Sequence, residues 1–241
     1  KINLTSPDII TLHQELEKIK KANIDNVIIE ASSHGLHQGR LDGINFAAGI
    51  FTNFSQDHLD YHKSMDEYFK AKLILFSKVL KKNKVMITDK SIPEFKTLNK
   101  IATSRNLRLF TINESLENKK LNSSFIGSFQ EKNLSMAILA AKVCRIRLNK
   151  ILSKLNKIKS INGRLQLVRT LPNQTKIFID FAHTPEALQK TIESLKKYYN
   201  RNINLVFGCG GNRDIKKRSL MANIANKLCN KIYVTDDNPR K

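Results

Sequence analysis

The sequence contains no tryptophan and only three cysteines and five prolines in 241 residues. Its cysteines, Cys144, Cys209 and Cys229, are widely spaced and odd in number, which fits neither a disulfide framework nor a zinc site. No apolar run approaches the roughly 20 residues of a membrane-spanning helix, and the first residues lack the apolar core of a signal peptide. These absences predict a protein of the reducing cytoplasm without a membrane span.

Acidic residues are also scarce, because 21 Asp and Glu stand against 42 Lys and Arg and leave a formal net charge of +21. Such a charge would suit nucleic acid or an anionic membrane. The lysines, however, fall mostly on predicted helix faces and turns, without an arginine-rich stripe or interleaved aromatic residues for base stacking. We expect a solvated basic surface and no nucleic-acid partner. A basic nucleic-acid-binding module stays open as the alternative from another functional class.

Apolar runs and helical periodicity alternate along most of the chain. The runs predict strands at 26–30, 47–53, 84–88 and 107–112. Helical spacing predicts helices from Asp8 onward and at 65–80, 92–105, 132–144 and 148–158. This alternation predicts an α/β fold with an open, mostly parallel sheet, whose central strands are buried on both faces.

A change of pattern around Gly163 predicts a domain boundary, with domains at 1–161 and 162–241. Beyond it, runs at 165–171 and 176–181 flank a turn and predict a hairpin. Helices at 185–199 and 217–229 then alternate with strands at 203–207 and 231–235. This alternation predicts that the second domain is the start of a Rossmann-like domain.

Two polar segments occur at or after predicted strands of the first domain: Glu30-Ala31-Ser32-Ser33-His34-Gly35-Leu36 and Asp57-His58-Leu59-Asp60-Tyr61-His62. A third segment, which carries Lys72, lies on the next predicted helix: Ala71-Lys72-Leu73-Ile74-Leu75-Phe76. Ligands bind at the carboxyl edge of open α/β sheets, and a strand-end carboxylate beside hydroxyls suits Mg²⁺ and phosphate. Read singly, Glu30 could cap a turn, His58 could be a surface histidine and unmodified Lys72 could bind phosphate as a point charge.

In this order and spacing the three segments resemble the central ATPase domain of the Mur ligases, and of their MurE branch in particular. The resemblance runs from Thr5 to the last residue. It implies that Glu30 and His58 bind Mg²⁺ and that Lys72 is carbamylated and helps to hold a second metal, which makes these three the catalytic and metal-binding residues. It also implies contacts with a UDP-muramyl-dipeptide at four residues: Thr5, Ser6, Ser32 and Arg40.

The resemblance extends to the ATP-contacting segments. Gly127–Asn133, Asn162-Gly163-Arg164 and the Asp180-Phe181-Ala182-His183-Thr184-Pro185 run resemble family motifs, which implies ATP contacts at Asn133, Arg164 and Asp180. Gln130 departs from the usual Asn, Asn162 from Pro and Phe181 from Tyr. The hinge at Asn162 is consequently expected to be less rigid than in the family.

Two further segments carry the implied amino-acid site. Gly208-Cys209-Gly210-Gly211-Asn212-Arg213-Asp214 and Asp237-Asn238-Pro239-Arg240 resemble motifs whose residues here would be Arg213, Asp237, Asn238 and Arg240. A guanidinium at Arg240 can grip the distal carboxylate of meso-diaminopimelate, which lysine lacks. A relative that accepts L-lysine or another amino acid stays open, and outside the family context Asp-Asn-Pro-Arg would read as a turn.

The resemblance thus implies an ATP- and Mg²⁺-dependent ligase of peptidoglycan synthesis. Its substrates would be ATP, UDP-N-acetylmuramoyl-L-alanyl-D-glutamate and meso-diaminopimelate, joined through an acyl phosphate by a cytoplasmic monomer. Folylpolyglutamate synthetase shares the scaffold but fits the Ser-Ser-His-Gly-Leu and Asp-Asn-Pro-Arg segments poorly. No Gly-Lys-[Ser/Thr] phosphate loop occurs in the chain, which also lacks an initiator Met. We therefore expect a piece truncated at both ends and inactive by itself, with a non-catalytic relic as the remaining alternative.

Overall fold

The computed structural model describes residues 5–112, 126–155, 157–211 and 216–238, with only the backbone described at Lys216. The chain divides into two compact units. The first comprises Lys1–Phe54, His62–Asn113 and Met136–Leu148, and the second comprises Ser55–Tyr61, Glu114–Ser135 and Asn149–Lys241. The predicted domain boundary near Gly163 stays a prediction.

Helices and strands alternate in both units. The helices are α1 (Ile9–Lys21), α2 (Ser33–His37), α3 (Leu59–His62), α4 (Met65–Ile74), α5 (Phe95–Ser104), α6 (Ser128–Val143), α7 (Leu148–Leu155), α8 (Pro185–Tyr199) and α9 (Lys216–Leu228). The strands are β1 (Ala48–Ile50), β2 (Val85–Thr88), β3 (Arg108–Thr111), β4 (Gln166–Thr170), β5 (Lys176–Ile179), β6 (Asn204–Phe207) and β7 (Lys231–Val234). The α/β prediction and most predicted elements are confirmed.

A parallel sheet in the order β1-β2-β3 forms the centre of the first unit. All four residues of β2 are buried, because Met86 packs into one apolar cluster and Val85 and Ile87 into another that contains Met136 of α6. At Gly49 of β1, a Cβ would lie 2.9 Å from Phe76, so only glycine lets the strand approach this side chain. The predicted strand at 84–88 is therefore confirmed, and it is the central strand of this sheet.

The predicted buried strand at 26–30 was wrong. These residues have no regular secondary structure, and Ile28 is 97% exposed. A strand requires a partner for its backbone N–H and C=O groups. In the part of the chain that the structure describes, β1 pairs only with β2, so the apolar run has no strand beside it.

The predicted helix at 65–80 is present but changes its geometry. The α-helix ends at Ile74, and a π-helical turn follows at Leu75–Val79. Such turns are rare and occur frequently at functional sites. This one buries Leu75 and Phe76 in the first unit's core directly after Lys72.

The second unit contains the predicted hairpin and the start of a parallel sheet. Strands β4 and β5 are antiparallel, and β6 and β7 are parallel. Helices α8 and α9 pack together through Leu188, Ile192 and Met221. Helix α8 begins after the N-cap Thr184 with proline at its first turn, and ends at Asn200 in the left-handed conformation, so both ends follow ordinary capping chemistry.

The three cysteines are free thiols. Among the residues described, none of the helices combines the length and the apolar character that crossing a membrane would require.

Candidate active site

Ser6 is the centre of a hydrogen-bond network around the Glu30–Ser33 segment. Its fully buried hydroxyl donates to the Glu30 carbonyl oxygen at 2.9 Å, accepts from the Ser32 backbone N–H at 3.1 Å and lies 2.9 Å from the Ser32 hydroxyl. The Ser32 side chain also accepts the Gly35 N–H and caps α2. Buried polar groups are costly without such partners, so Ser6 and Ser32 fix the backbone here.

Arg40 joins the same network from the other end of α2. Its Nη1 donates to the Ser6 carbonyl oxygen at 2.8 Å, and its Nη2 donates to Gln38 Oε1 at 2.5 Å. Three of the four residues predicted to contact the muramyl nucleotide therefore lie together, while Thr5 is exposed next to Ser6. Gln38 was missed by the sequence reasoning, although its position two residues before Arg40 could have suggested it.

Lys72 lies on α4 against aromatic rings. Its Nζ is 5.3 Å from the ring centroid of Tyr68, one helical turn earlier, and 5.8 Å from that of Phe51 at the end of the sheet. A cation over a ring face is attracted by the ring quadrupole. The side chain is therefore held at the face of two rings rather than extended into solvent.

His58 has a strained backbone. Its φ of 56° lies in the left-handed region, which is costly for a residue with a Cβ and is found often at functional sites. The carboxylate of Asp57 stabilises this conformation, because Oδ1 accepts the His58 N–H at 2.9 Å while Oδ2 lies 3.5 Å from His58 Nε2. The turn thus holds the histidine that was predicted to bind metal.

The same Asp57 also pairs with His183. His183 Nε2 lies 3.2 Å from Asp57 Oδ2, and its Nδ1 lies 3.0 Å from the Phe181 carbonyl oxygen. Both ring nitrogens face oxygen acceptors, an arrangement that favours the form of the imidazole with a proton on each nitrogen. The hydrogen bond to Asp57 accordingly raises the pKa of His183 against the opposing effect of burial.

Asp57 is strongly acidic for the same reason. Burial pushes its pKa upward, but the hydrogen bond from His183 and the charge of His58 outweigh burial and lower the pKa from 3.8 to about 2. The sequence reasoning assigned no role to this pair, which spans 126 positions and so has no local signal.

The predicted metal residues lie on different parts of the fold. Glu30 is exposed in the first unit, which also contains Lys72, whereas His58 belongs to the second. Carboxylate and carbamate oxygens with an imidazole are donors that suit a divalent cation. In the described ranges, no three or more His, Cys, Asp or Glu side chains form a group that could hold a metal ion. Convergence of Glu30, His58 and Lys72 stays a prediction.

Asp180, predicted to contact ATP, organises the backbone around it. Its Oδ2 accepts the Leu165 N–H at 2.7 Å, and its Oδ1 accepts the Ala182 N–H at 2.9 Å and the Thr191 hydroxyl at 3.2 Å. Leu165 has a positive φ of 46°, so the carboxylate holds a strained turn directly before the first strand of the hairpin.

The other two predicted ATP residues are accessible in the second unit. Asn133 is exposed on α6, and the Arg164 guanidinium lies 5.5 Å from the ring centroid of Phe181. Gln130, the residue that departs from the family motif, donates through Nε2 to the Arg164 carbonyl oxygen at 3.2 Å. This contact joins two of the predicted ATP-binding segments.

The glycine-rich turn after β6 lies beside the segment that follows β7. Gly210 forms a parallel bridge with Asp237, and the Gly211 N–H donates to the Asn238 carbonyl oxygen at 3.1 Å. A Cβ on Gly208 would be 2.4 Å from the Thr235 carbonyl oxygen, so the close approach requires glycine. Arg213 and Arg240 lie outside the described residues, so the contact is established for Gly210 and Gly211 with Asp237 and Asn238.

The comparisons with protein families cover nearly the whole chain. Residues 1–151 match the family described as Mur ligase middle domain, and residues 163–241 match the one described as Mur ligase, glutamate ligase domain. The chain belongs to the Mur ligase family. The resemblance stated from the sequence motifs is thereby confirmed.

Curated Mur ligases that match carry the name UDP-N-acetylmuramoyl-L-alanyl-D-glutamate--2,6-diaminopimelate ligase. The protein of Rickettsia bellii (strain RML369-C) is 38% identical over 261 residues, which cover 98% of this chain and 54% of the relative. The protein of Mesorhizobium japonicum is 34% identical, with 99% and 54% covered. This Mur ligase chain therefore spans about half the length of the curated relatives it matches.

Solved structures agree with the family. A structure of a ligase with the same printed name has a TM-score of 0.68 and 29% identity, and the match covers 97% of this chain and 53% of that one. An FPGS complex with AMPPCP and folate has a TM-score of 0.61, 15% identity and coverage of 93% and 65%, and so shares the fold alone.

Proposed function

We propose that this chain is part of an ATP-dependent ligase that joins meso-diaminopimelate to UDP-N-acetylmuramoyl-L-alanyl-D-glutamate. The main structural support is the pairing of the Gly208–Gly211 turn with Asp237 and Asn238, which brings together the two segments predicted to select the amino acid. The relatives that match 98% of the chain at 33–38% identity are named for this reaction. A Mur ligase specific for L-lysine is the competing substrate assignment.

The reaction requires two anions to meet. In the first step, the γ-phosphoryl group of ATP passes to the D-glutamyl γ-carboxylate, which gives an acyl phosphate and ADP. In the second step, the amine of diaminopimelate attacks the acyl carbon, so that the amide forms and phosphate leaves. Mg²⁺, when bound, would neutralise charge between the phosphoryl group and the carboxylate. In the proposal, Glu30 and His58 would hold this ion, and carbamylated Lys72 would help to hold a second one.

The muramyl nucleotide is assigned to the start and end of α2. Arg40 offers a planar fork for a carboxylate or phosphate, and Ser32, held by Ser6, offers a hydroxyl. Thr5 is the fourth proposed contact. Because Arg40 already donates to Gln38 and to the Ser6 carbonyl oxygen, its guanidinium has a fixed place before substrate arrives.

ATP is assigned to the second unit. Asn133 is proposed to contact the adenine and Arg164 the phosphates, while Asp180 acts by holding the turn at Leu165 and the start of the Ala182 loop. Because the oxygens of this carboxylate already accept hydrogen bonds from the surrounding backbone, Asp180 is better suited to holding these turns in place than to accepting a proton.

Selection of the amine is assigned to Arg213, Asp237, Asn238 and Arg240. We propose a cytoplasmic monomer, consistent with the three free thiols, and no nucleic-acid partner.

The test uses the complete protein with ATP, Mg²⁺ and the UDP-muramyl-dipeptide, offered meso-diaminopimelate, L-lysine or no amino acid. We expect ADP release together with a nucleotide product whose mass has increased by one diaminopimelyl residue. Equal kcat/KM for L-lysine would contradict the amino-acid assignment. Absence of any amide product with every amino acid would contradict the ligase itself.

A further inference from the structure

His62 is a buried histidine whose contacts reach two parts of the candidate site. It is the last residue of α3 and is only 3% exposed. Its Nε2 lies 2.9 Å from the hydroxyl of Ser33, which is itself buried. Because burying an imidazole without a hydrogen bond is unfavourable, this contact fixes the direction of the ring. Ser33 is the first residue of α2, directly after the N-cap Ser32.

The ring of His62 also packs on Tyr68. The two ring centroids are 5.2 Å apart, and the planes are inclined by only 28°. Tyr68 is buried on α4, and Lys72 follows one helical turn later with its Nζ 5.3 Å from the Tyr68 centroid. Residues four apart on a helix lie on the same face, so displacement of the Tyr68 ring changes the surface on which Lys72 rests.

We propose that His62 is a positioning residue that acts through two separate contacts. Its nitrogen sets the start of α2 through Ser33, and its ring sets the place of Lys72 through Tyr68. The inference rests on the proposed function, in which α2 holds the muramyl nucleotide and Lys72 acts near the transferred phosphoryl group. If His62 only filled the core, its substitution would lower the stability of the fold. The effect on α2 and the effect on Lys72 would then not occur separately in different variants.

Two substitutions separate the contacts. His62→Gln keeps an amide nitrogen near the position of Nε2 but removes the ring, whereas His62→Phe keeps a ring and removes the hydrogen bond to Ser33. His37→Gln is the matched control, because His37 is an exposed histidine whose ring centroid is 6.0 Å from that of His62. Ser33→Ala removes the hydrogen-bond contact without changing the histidine, and it serves if His62→Phe fails to fold.

The first measurement needs no enzyme activity. In protein freed of carbon dioxide, so that the Lys72 amine is not carbamylated, trace acetylation with acetic anhydride followed by peptide mass spectrometry gives the reactivity of Lys72 relative to Lys70, an exposed lysine on the same helix. We expect His62→Gln to change this ratio about tenfold, the lower end of the range found when residues that support a ligating side chain are replaced. His62→Phe, Ser33→Ala and His37→Gln should leave it within about twofold.

The second measurement is steady-state kinetics with thermal unfolding of every variant. His62→Phe and Ser33→Ala should raise KM for the muramyl nucleotide about tenfold with kcat nearly unchanged, whereas His62→Gln should lower kcat about tenfold. Equal labelling ratios in all variants, or kinetic losses that follow the loss of thermal stability without this split, would overturn the inference. If the unaltered protein formed no amide, the proposed function would fail, and the labelling contrast would still decide the role of His62.

Discussion

Gly208→Ala is the substitution whose effect the structure defines most sharply. The added Cβ would lie 2.4 Å from the Thr235 carbonyl oxygen, whereas ordinary contact begins at 3.4 Å, so the two segments must separate by about 1 Å. The next obstacles are the Cβ of Asp237 at 2.9 Å and its backbone nitrogen at 3.0 Å. Two of the three obstacles are backbone atoms and the third is bonded directly to the backbone, so none can move aside as the end of a flexible side chain can.

The expected losses of stability and of activity follow from the contacts that this separation disturbs. The turn and the segment after β7 are joined by the Gly210–Asp237 bridge and by the hydrogen bond from the Gly211 N–H to the Asn238 carbonyl oxygen. Overpacking of this kind costs about 1–3 kcal/mol. For a chain of this size, that corresponds to a fall in Tm of roughly 2–12 °C. A displacement of about 1 Å at a binding site can cost about 100-fold in kcat/KM.

The assay combines thermal unfolding with kcat/KM for meso-diaminopimelate, and compares these with KM for ATP and for the muramyl nucleotide. We expect kcat/KM for meso-diaminopimelate to fall strongly, and KM for ATP and for the muramyl nucleotide to change much less. Gly163→Ala is the control, because its φ of 70° strains an added side chain although no atom lies within 4 Å of the new Cβ. A Gly208→Ala protein with unchanged Tm and unchanged kcat/KM would refute the packing argument.

Three further predictions concern other contacts. Asp57→Asn should destabilise the fold by about 0.5–1 kcal/mol at pH 5, since the pair with His183 is partly exposed. The depressed pKa of Asp57 means that its contribution is present above its ordinary value of 3.8 and is lost as pH falls through about 2. The raised pKa of His183 means that its contribution is present below 6.5 and is lost as pH rises through the higher folded value. Urea unfolding at pH 2, 5 and 9 should therefore show the largest difference from the unaltered protein at about pH 5, and a pH-independent difference would contradict the ion pair. Ser6→Ala should lower the unfolding free energy by about 1–3 kcal/mol, because the buried Ser6 hydroxyl no longer pairs with the Glu30 carbonyl oxygen and the Ser32 N–H; an unchanged urea midpoint would argue against this anchor. Arg240→Ala should lower kcat/KM for meso-diaminopimelate about 30-fold or more and that for L-lysine much less, measured by competition, and equal losses would show that Arg240 only maintains the loop.

The alternation of helices and strands could be predicted because it depends on local patterns. Thr184-Pro185 marked the start of α8, and the apolar run at 84–88 marked a strand that is buried on both faces. The run at 26–30 misled because its apolar residues resemble those of a buried strand, whereas a strand also needs a neighbour for its backbone. The π-helical turn after Ile74 has no comparable signal, since its residues suit an α-helix equally well.

The candidate site was predictable as a set of motifs but not as a set of contacts. Short-range relations, such as Ser32 capping α2, follow from sequence spacing. The contacts of Asp57 with His183 and of Ser33 with His62 join segments 126 and 29 positions apart. A single sequence contains no pattern that pairs such residues, because either histidine has many acceptable partners until the backbone is fixed.

Several residues predicted to contact ligand are engaged with the protein's own backbone, and this changes how substitutions must be interpreted. Ser6 holds the Glu30–Ser32 segment, and Asp180 holds the turns at Leu165 and Ala182. Removing either side chain leaves main-chain groups unsatisfied, so a loss of activity would combine a lost ligand contact with a displaced loop. A ligand role for such a residue can be inferred only where a substitution that keeps the backbone hydrogen bonds still changes KM. Since Asp180 accepts from two backbone N–H groups and a hydroxyl, asparagine could satisfy only part of this set, and alanine none of it. A graded loss of stability across Asp180, Asn and Ala, with KM for ATP following the same gradation, would therefore identify the carboxylate as an anchor of the nucleotide loop rather than as a direct ligand.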